Sequence, residues 1–177
     1  MTDPEAAVEE PEPSDSLSDP RELLLAFLDY YRDVIRRKVD GLSEADLRSS
    51  RLPSGWTPLE LVWHLVFMER RWLQCGFAGE DVPDPWGDDD PATGRWHVDA
   101  GRAVGAVMAA LGQVGERTRD IVGTAPLETR ARTGGRFPVD SQPPTLGWIL
   151  LHVLQEYARH AGHLDAAREL IDGAVGE

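Results

Sequence analysis

The chain has 177 residues and a formal net charge of −13. This length fits one domain with a sizeable hydrophobic core, and no apolar run approaches the roughly 20 residues of a membrane-spanning helix. The single cysteine, Cys75, excludes an internal disulfide framework. Because the N-terminus also lacks the basic and apolar regions of a signal peptide, we expect a cytoplasmic protein that does not act in a membrane.

The acidic charge is concentrated in two segments. Residues 1–20 contain seven acidic and no basic side chains, and residues 80–90 contain six acidic and no basic side chains. The rest of the chain carries equal numbers of the two, so the folded body is close to neutral and offers no basic patch for nucleic acid. Lysine occurs once, as Lys38, against 17 arginines, a bias that indicates a GC-rich bacterial genome.

The N-terminal part predicts a tail followed by a helix. Residues 1–18 are rich in Pro, Glu, Ser and Asp, which is typical of disordered segments; we therefore predict a disordered acidic tail over 1–18 and one domain over 19–173. Asp19 and the proline after it form a helix start, and apolar residues at helical spacing continue the helix to Gly41. A short helical turn is expected at 43–47.

The second long helix is predicted from Thr57 to about Gly76. Its start reads Thr-Pro-Leu-Glu, a capping box with proline at the first helical position. His64 lies inside the apolar stripe of this helix, where an imidazole needs a polar partner. Residues 79–97 contain three prolines and no hydrophobic period, so we predict a long surface loop there. Its acidic part, 80–90, is a candidate gate for the site, and its charge would not help to bind an anionic substrate.

Two further helices complete the predicted fold. The third is expected from Asp99 to Val122, with several glycines that require support from packing. The last begins after two prolines at Thr145 and ends at Gly173. Four long amphipathic helices without a convincing strand predict an all-α protein, a four-helix bundle.

A cluster of metal-ligand residues stands out in the last helix. Glu156, His160 and His163 are spaced four and three apart, so their side chains share one helix face. With His64 from the second helix they offer the imidazole and carboxylate donors of catalytic zinc sites, although nickel, iron or cobalt would accept the same donors. Which three bind is open at this point: His163 is an alternative ligand to Glu156, or a proton relay.

Simpler interpretations compete with a metal site. A buried histidine is more often a hydrogen-bonded core residue than a ligand, and a glutamate four residues before a histidine often forms only a solvated ion pair. His152, four residues before Glu156, is interpreted as structural or surface-exposed, and His97 as a cap or surface residue. On these interpretations the bundle would hold no metal.

Residues 55–70 (GWTPLELVWHLVFMER) and 156–163 (EYARHAGH) resemble the two metal-binding regions of the DinB-like superfamily. Residues 77–86 (FAGEDVPDPW) are similar to a loop of an actinobacterial branch. The resemblance implies a four-helix bundle that holds a divalent metal through His64, Glu156 and His160. Many members have a third histidine where this chain has Glu156; the His/Glu/His set is similar to that of mycothiol-dependent maleylpyruvate isomerase.

The resemblance further implies an enzyme. Relatives use mycothiol or bacillithiol, so we expect a metal-dependent S-transferase or isomerase that acts on a small electrophile, with zinc as the preferred metal and a low-molecular-weight thiol as cofactor or co-substrate. The alternative is a non-catalytic metal- or ligand-binding stress protein of the same fold, because one fold can host different functions. A homodimer is also expected, since family members often dimerise.

Overall fold

The structure is a computed structural model that describes residues 12–123 and 125–176. Within these residues the chain is helical and contains no β-strand, only two isolated β-bridges. An eight-residue π-helix, Arg70–Phe77, directly continues α3 and is called the π-helical extension. The α-helices are α1 (Pro20–Val39), α2 (Glu44–Leu47), α3 (Pro58–Glu69), α4 (Val104–Val122) and α5 (Leu146–Asp172).

The helix starts predicted for α1, α3 and α5 are confirmed by their caps. The Asp19 carboxylate accepts hydrogen bonds from two backbone N–H groups of the first turn of α1. Thr57 and Glu60 form the reciprocal capping box of α3, and the Thr145 hydroxyl caps α5. Such bonds satisfy N–H groups that have no partner inside the helix. At the other end of α5, Gly173 has a φ of 78°, as in a left-handed C-cap.

Two predicted boundaries differ from the structure. The helix expected from Asp99 begins only at Val104, because residues 100–102 form a turn that contains Gly101 and no side chain caps the new start. The helix expected to run to Gly76 is an α-helix only as far as Glu69, after which it follows i→i+5 hydrogen bonding. π-Helical segments often occur at functional sites, and this one lies beside the site described below.

The four long helices form the predicted bundle. Helix α1 packs most extensively on α5, and α3 on α4, while α3–α5 and α1–α4 contacts close the structure. No helix of the described residues is both long and apolar enough to cross a bilayer. Apolar side chains at helical spacing fill the centre; those fully buried include Leu28 and Ile35 of α1, Leu61 and Leu65 of α3, Val107 and Leu111 of α4, and Ile149, Leu150 and Val153 of α5.

A charged cluster lies inside this core. Glu69 at the end of α3 is fully buried and accepts hydrogen bonds from Arg32 of α1, Thr118 of α4 and Tyr157 of α5, the last at 2.6 Å. Gly115 of α4 leaves room for Arg32, since a Cβ there would lie 2.9 Å from the arginine Cδ. All four long helices are therefore joined through one carboxylate.

Most of the predicted acidic tail lies outside the residues that the structure describes. Residues 1–11 are not among the described residues, so the predicted disorder there stays a prediction. Residues 12–18 are in neither helix nor strand and most are exposed. The domain limits of 19–173 likewise stay a prediction, although every helix lies within them.

Candidate metal centre

Three side chains predicted as ligands converge between α3 and α5. His64, Glu156 and His160 each offer a ligand atom, and these atoms lie within 4.8 Å of one another. Glu156 and His160 are one helical turn apart, which brings His160 Nε2 to 3.3 Å from Glu156 Oε2. The His64 ring arrives from α3, with its centroid 5.3 Å from that of His160. The fold therefore assembles the donor set that the sequence predicted.

The His64 ring is held from two sides. Its Nδ1–H donates to Asp88 Oδ2 at 2.9 Å, which leaves Nε2 as the nitrogen with a free lone pair. Trp96 stacks on the ring with centroids 4.2 Å apart and planes within 20°. A carboxylate on the second nitrogen is the usual way in which proteins orient a metal-binding histidine.

Asp88 is a fully buried carboxylate in the loop that follows the π-helical extension. Burial raises the pKa of Asp88, but hydrogen bonds from His64 and Arg71 outweigh this effect and hold the pKa below its ordinary value. Arg71, itself buried, donates to both Asp88 oxygens and to the Pro85 carbonyl at 3.1 Å. Asp88 therefore stays ionised and fixes the tautomer of His64.

His160 is buried and neutral. Burial, together with the neighbouring His64, His163 and Arg159, lowers the pKa of His160 to about 3. Its Nδ1 lies 3.2 Å from Nδ1 of His163, so its Nε2, on the Glu156 side, can keep a lone pair for a cation. His163 is exposed and packs near Trp56 with ring centroids 6.2 Å apart. The structure thus places His163 beside His160, outside the three-residue cluster.

His152 lies at the other side of Glu156. Its Nε2 is 3.8 Å from Glu156 Oε1, and its ring is stacked on Trp148 and lies 4.4 Å from the ring of Trp72. Burial lowers the pKa of His152, although Glu156 opposes the effect. His97, in contrast, is an exposed residue near Asp99. Both positions agree with the structural and surface interpretations made from the sequence.

The residues present fit a divalent metal ion. Two imidazoles and one carboxylate are the ligands of several catalytic zinc sites, in which a fourth position stays open. The 3.3 Å between His160 Nε2 and Glu156 Oε2 equals roughly the edge of a zinc tetrahedron with bonds near 2.0–2.1 Å. His160 does not have to lose a proton at neutral pH before it binds.

Sequence reasoning missed the support for His64. It placed residues 79–97 in a surface loop, but Asp88 within that loop is buried, so the prediction is wrong for this residue. Trp96, on the same loop, was not recognised either. The one available signal was that an imidazole in an apolar stripe needs a polar partner. That signal could not identify Asp88, because residues 80–90 contain six acidic side chains.

This fold and this cluster together define a DinB-like helical bundle with a candidate metal centre. The chain belongs to the mycothiol S-transferase family, because the sequence model described as Mycothiol-S-transferase matches residues 23–173. That range includes His64, Glu156 and His160 and most of each long helix. No curated protein matches the chain. The superfamily expected from the two metal-region motifs is confirmed.

Proposed function

We propose that this protein is a divalent-metal-dependent S-transferase that uses mycothiol as its thiol substrate. The observation that carries the proposal is the His64, Glu156 and His160 cluster in a chain of the mycothiol S-transferase family. Zinc suits two imidazoles and a carboxylate with an open position, and nickel and iron are the alternatives. The expected co-substrate is a small electrophile.

The proposed reaction is a substitution at carbon. A divalent cation held by the cluster would supply the positive charge that makes a thiol more acidic, and the thiolate is the nucleophilic form of a thiol. The sulfur forms a bond to the electrophilic carbon, and the leaving group departs with its bonding electron pair. The thiol proton passes to solvent. Reversible addition to a carbon–carbon double bond would give an isomerase instead.

The side chains around the cluster have separate roles in this proposal. His64 is aimed by the Asp88 carboxylate, and Glu156 brings a negative charge that favours cation binding. If Nε2 of His160 binds the cation, its Nδ1 carries the proton, and Nδ1 of His163, 3.2 Å away, is placed to accept it. Because the His163 ring is exposed, it is suited to exchange a proton with solvent, the relay role expected from the sequence.

The setting of the reaction is proposed from the same features. The enzyme is expected to work in the cytoplasm of a bacterium on small molecules, without a nucleic-acid or membrane partner. A homodimer is proposed from the family.

The first test is metal content by plasma mass spectrometry. About one metal ion per chain is expected for the wild type, and a large loss for His64→Ala, Glu156→Ala and His160→Ala. His97→Ala is the matched control, because this histidine is exposed and outside the cluster. Equal, near-zero metal in all samples after reconstitution with zinc, nickel and iron would refute the metal centre.

The second test is turnover by the metal-loaded wild type. Consumption of monochlorobimane, in which chloride is the leaving group, is expected to be faster with mycothiol and enzyme than with mycothiol alone. Bound metal without turnover of mycothiol, bacillithiol or coenzyme A would favour the non-catalytic metal-binding protein.

A further inference from the structure

A groove of about 540 Å³ lies along the π-helical extension, outside the three candidate ligands. Its walls are the π-helical extension, which contributes Arg71 and Cys75, the loop residue Trp86, and the turn that carries Arg136 and Phe137. Trp86 is 54% exposed, whereas Arg136 and Phe137 are half-buried. The groove therefore combines aromatic faces with two guanidinium groups.

The two arginines differ in how their charge is balanced. Arg71 is neutralised by Asp88. Among the described residues, no carboxylate lies within 4 Å of the Arg136 guanidinium and no protein group hydrogen-bonds to it, although it lies 4.1 Å from the centre of the Trp72 ring. Burial and the nearby charge of Arg71 lower the pKa of Arg136. The groove thus presents one uncompensated positive charge, despite the acidic sequence of 80–90.

The backbone fixes the position of Arg136. Gly134 has a φ of 92°, and its N–H donates to the Phe137 carbonyl at 2.9 Å, which closes the turn. This turn rests on Gly76 of the π-helical extension, where an added Cβ would lie 3.1 Å from Arg136 Cδ and 3.3 Å from the Phe137 ring. The close approach of Arg136 to Trp72 therefore depends on a glycine at this contact.

Two chains of contacts connect the groove to the metal centre. On one side, Trp72 under Arg136 contacts His152, and His152 approaches Glu156. On the other side, Arg71 holds Asp88, which holds His64. Trp72, His152 and Glu156 are all partly exposed.

We infer that this groove binds the carboxylate of an acidic electrophile and that Arg136 is the residue that recognises it. The inference rests on the proposed function. Mycothiol has no carboxylate group, so the carboxylate is assigned to the electrophile. One guanidinium matches the two oxygens of a carboxylate with a pair of parallel hydrogen bonds, and Trp86 and Phe137 cover the apolar part of the molecule. Arg136 is a specificity-determining residue in this arrangement.

Calorimetric titration with benzoate and with its neutral analogue benzamide tests the inference. Benzoate is expected to bind roughly tenfold more tightly, the ratio for a hydrogen bond to a charged group. Arg136→Gln should lower benzoate affinity to that of benzamide, and Arg136→Lys, which keeps the charge, should retain part of the preference. Arg132→Gln is the matched control, since Arg132 is an exposed arginine of the same loop.

The titrations are run on the protein as purified and after treatment with a chelator. A preference for benzoate that persists without metal supports the groove even if turnover is never found, so the two proposals can fail separately. Loss of benzoate binding on chelation would show that the carboxylate binds the metal, and equal affinity in a folded Arg136→Gln variant, checked by circular dichroism, would show that another residue binds it. No benzoate binding, or tighter binding of inorganic phosphate, would also overturn the inference.

Discussion

Replacement of Asp88 by asparagine is expected to weaken metal binding and to destabilise the fold through two separate contacts. Asp88 is fully buried and bonds to His64 on one side and to Arg71 on the other. Asparagine keeps one acceptor oxygen for two donors, and its amide N–H₂ opposes the second donor. Loss of the carboxylate on a metal-binding histidine typically lowers metal affinity about 10–100-fold.

The second effect comes from Arg71. Arg71 as a whole is 5% exposed, so in the Asp88→Asn variant its charge is buried without a counter-charge, which costs roughly 3–5 kcal/mol. The double variant Arg71→Gln/Asp88→Asn removes both charges and should recover most of this free energy of unfolding. It should not recover metal affinity, because His64 still lacks its carboxylate.

Two assays separate these effects. Competition with a chromophoric chelator at pH 7.5 measures metal affinity, and urea unfolding in the presence of a chelator measures the stability of the metal-free protein. Wild-type metal affinity in Asp88→Asn would refute the role given to the Asp88–His64 bond. Recovery of metal affinity in the double variant would show that the loss in the single variant came from misfolding.

Three further substitutions test the core and the site. Glu69→Gln removes the buried partner of Arg32 and leaves only the half-buried Asp29, 2.6 Å away, to balance its charge. The free energy of unfolding in urea denaturation should therefore fall, by less than the roughly 3–5 kcal/mol of an uncompensated buried charge; an unchanged midpoint would contradict this. The pKa of His160 in the folded protein is about 3, so below pH 6.5 the unfolded metal-free chain binds a proton at His160 that the folded chain does not. The free energy of unfolding should therefore fall by about 1.4 kcal/mol for each pH unit below 6.5. In His160→Gln this contribution should be missing from the difference between the free energies of unfolding measured at pH 7.5 and pH 5.5. His163→Ala should keep about one metal ion per chain but bind it up to roughly tenfold more weakly in chelator competition, and complete loss of metal would make His163 a ligand.

The helices and the ligand set could be predicted because both depend on local spacing. Apolar residues every three or four positions identify the buried faces, and the capping residues Asp19, Thr57 and Thr145 identify three starts. Glu156 and His160 share a face by the same periodicity. The start at Asp99 failed because an acidic residue before an apolar pattern is a cap only if the chain turns there, and Gly101 allowed a separate turn instead.

The parts that could not be predicted depend on contacts between distant residues. Asp88 and Trp96 belong to a loop without periodicity, and only the folded chain brings them to His64. The burial of Arg32 and Glu69 was equally hidden, because each interrupts an apolar stripe and is stabilised in the core by contacts with distant residues, including their ion pair. A π-helix in place of an α-helix also leaves no mark in the pattern of residues.

Two members of the charged core cluster lie on the same helices as the metal ligands. Glu69 is five residues after His64 on α3, and Tyr157, which donates to Glu69, lies between Glu156 and His160 on α5. Apolar side chains of similar volume often stabilise a core as well as a buried ion pair does, so stability alone does not account for this cluster. A carboxylate with directional partners on the three other long helices instead fixes how far α5 is shifted along α3, and this shift sets the spacing of the ligand atoms, which lie within 4.8 Å of one another. Because this cluster holds the four helices together without using any of the three ligand residues, we expect the metal-free chain to fold, unlike small zinc domains that fold only with their metal.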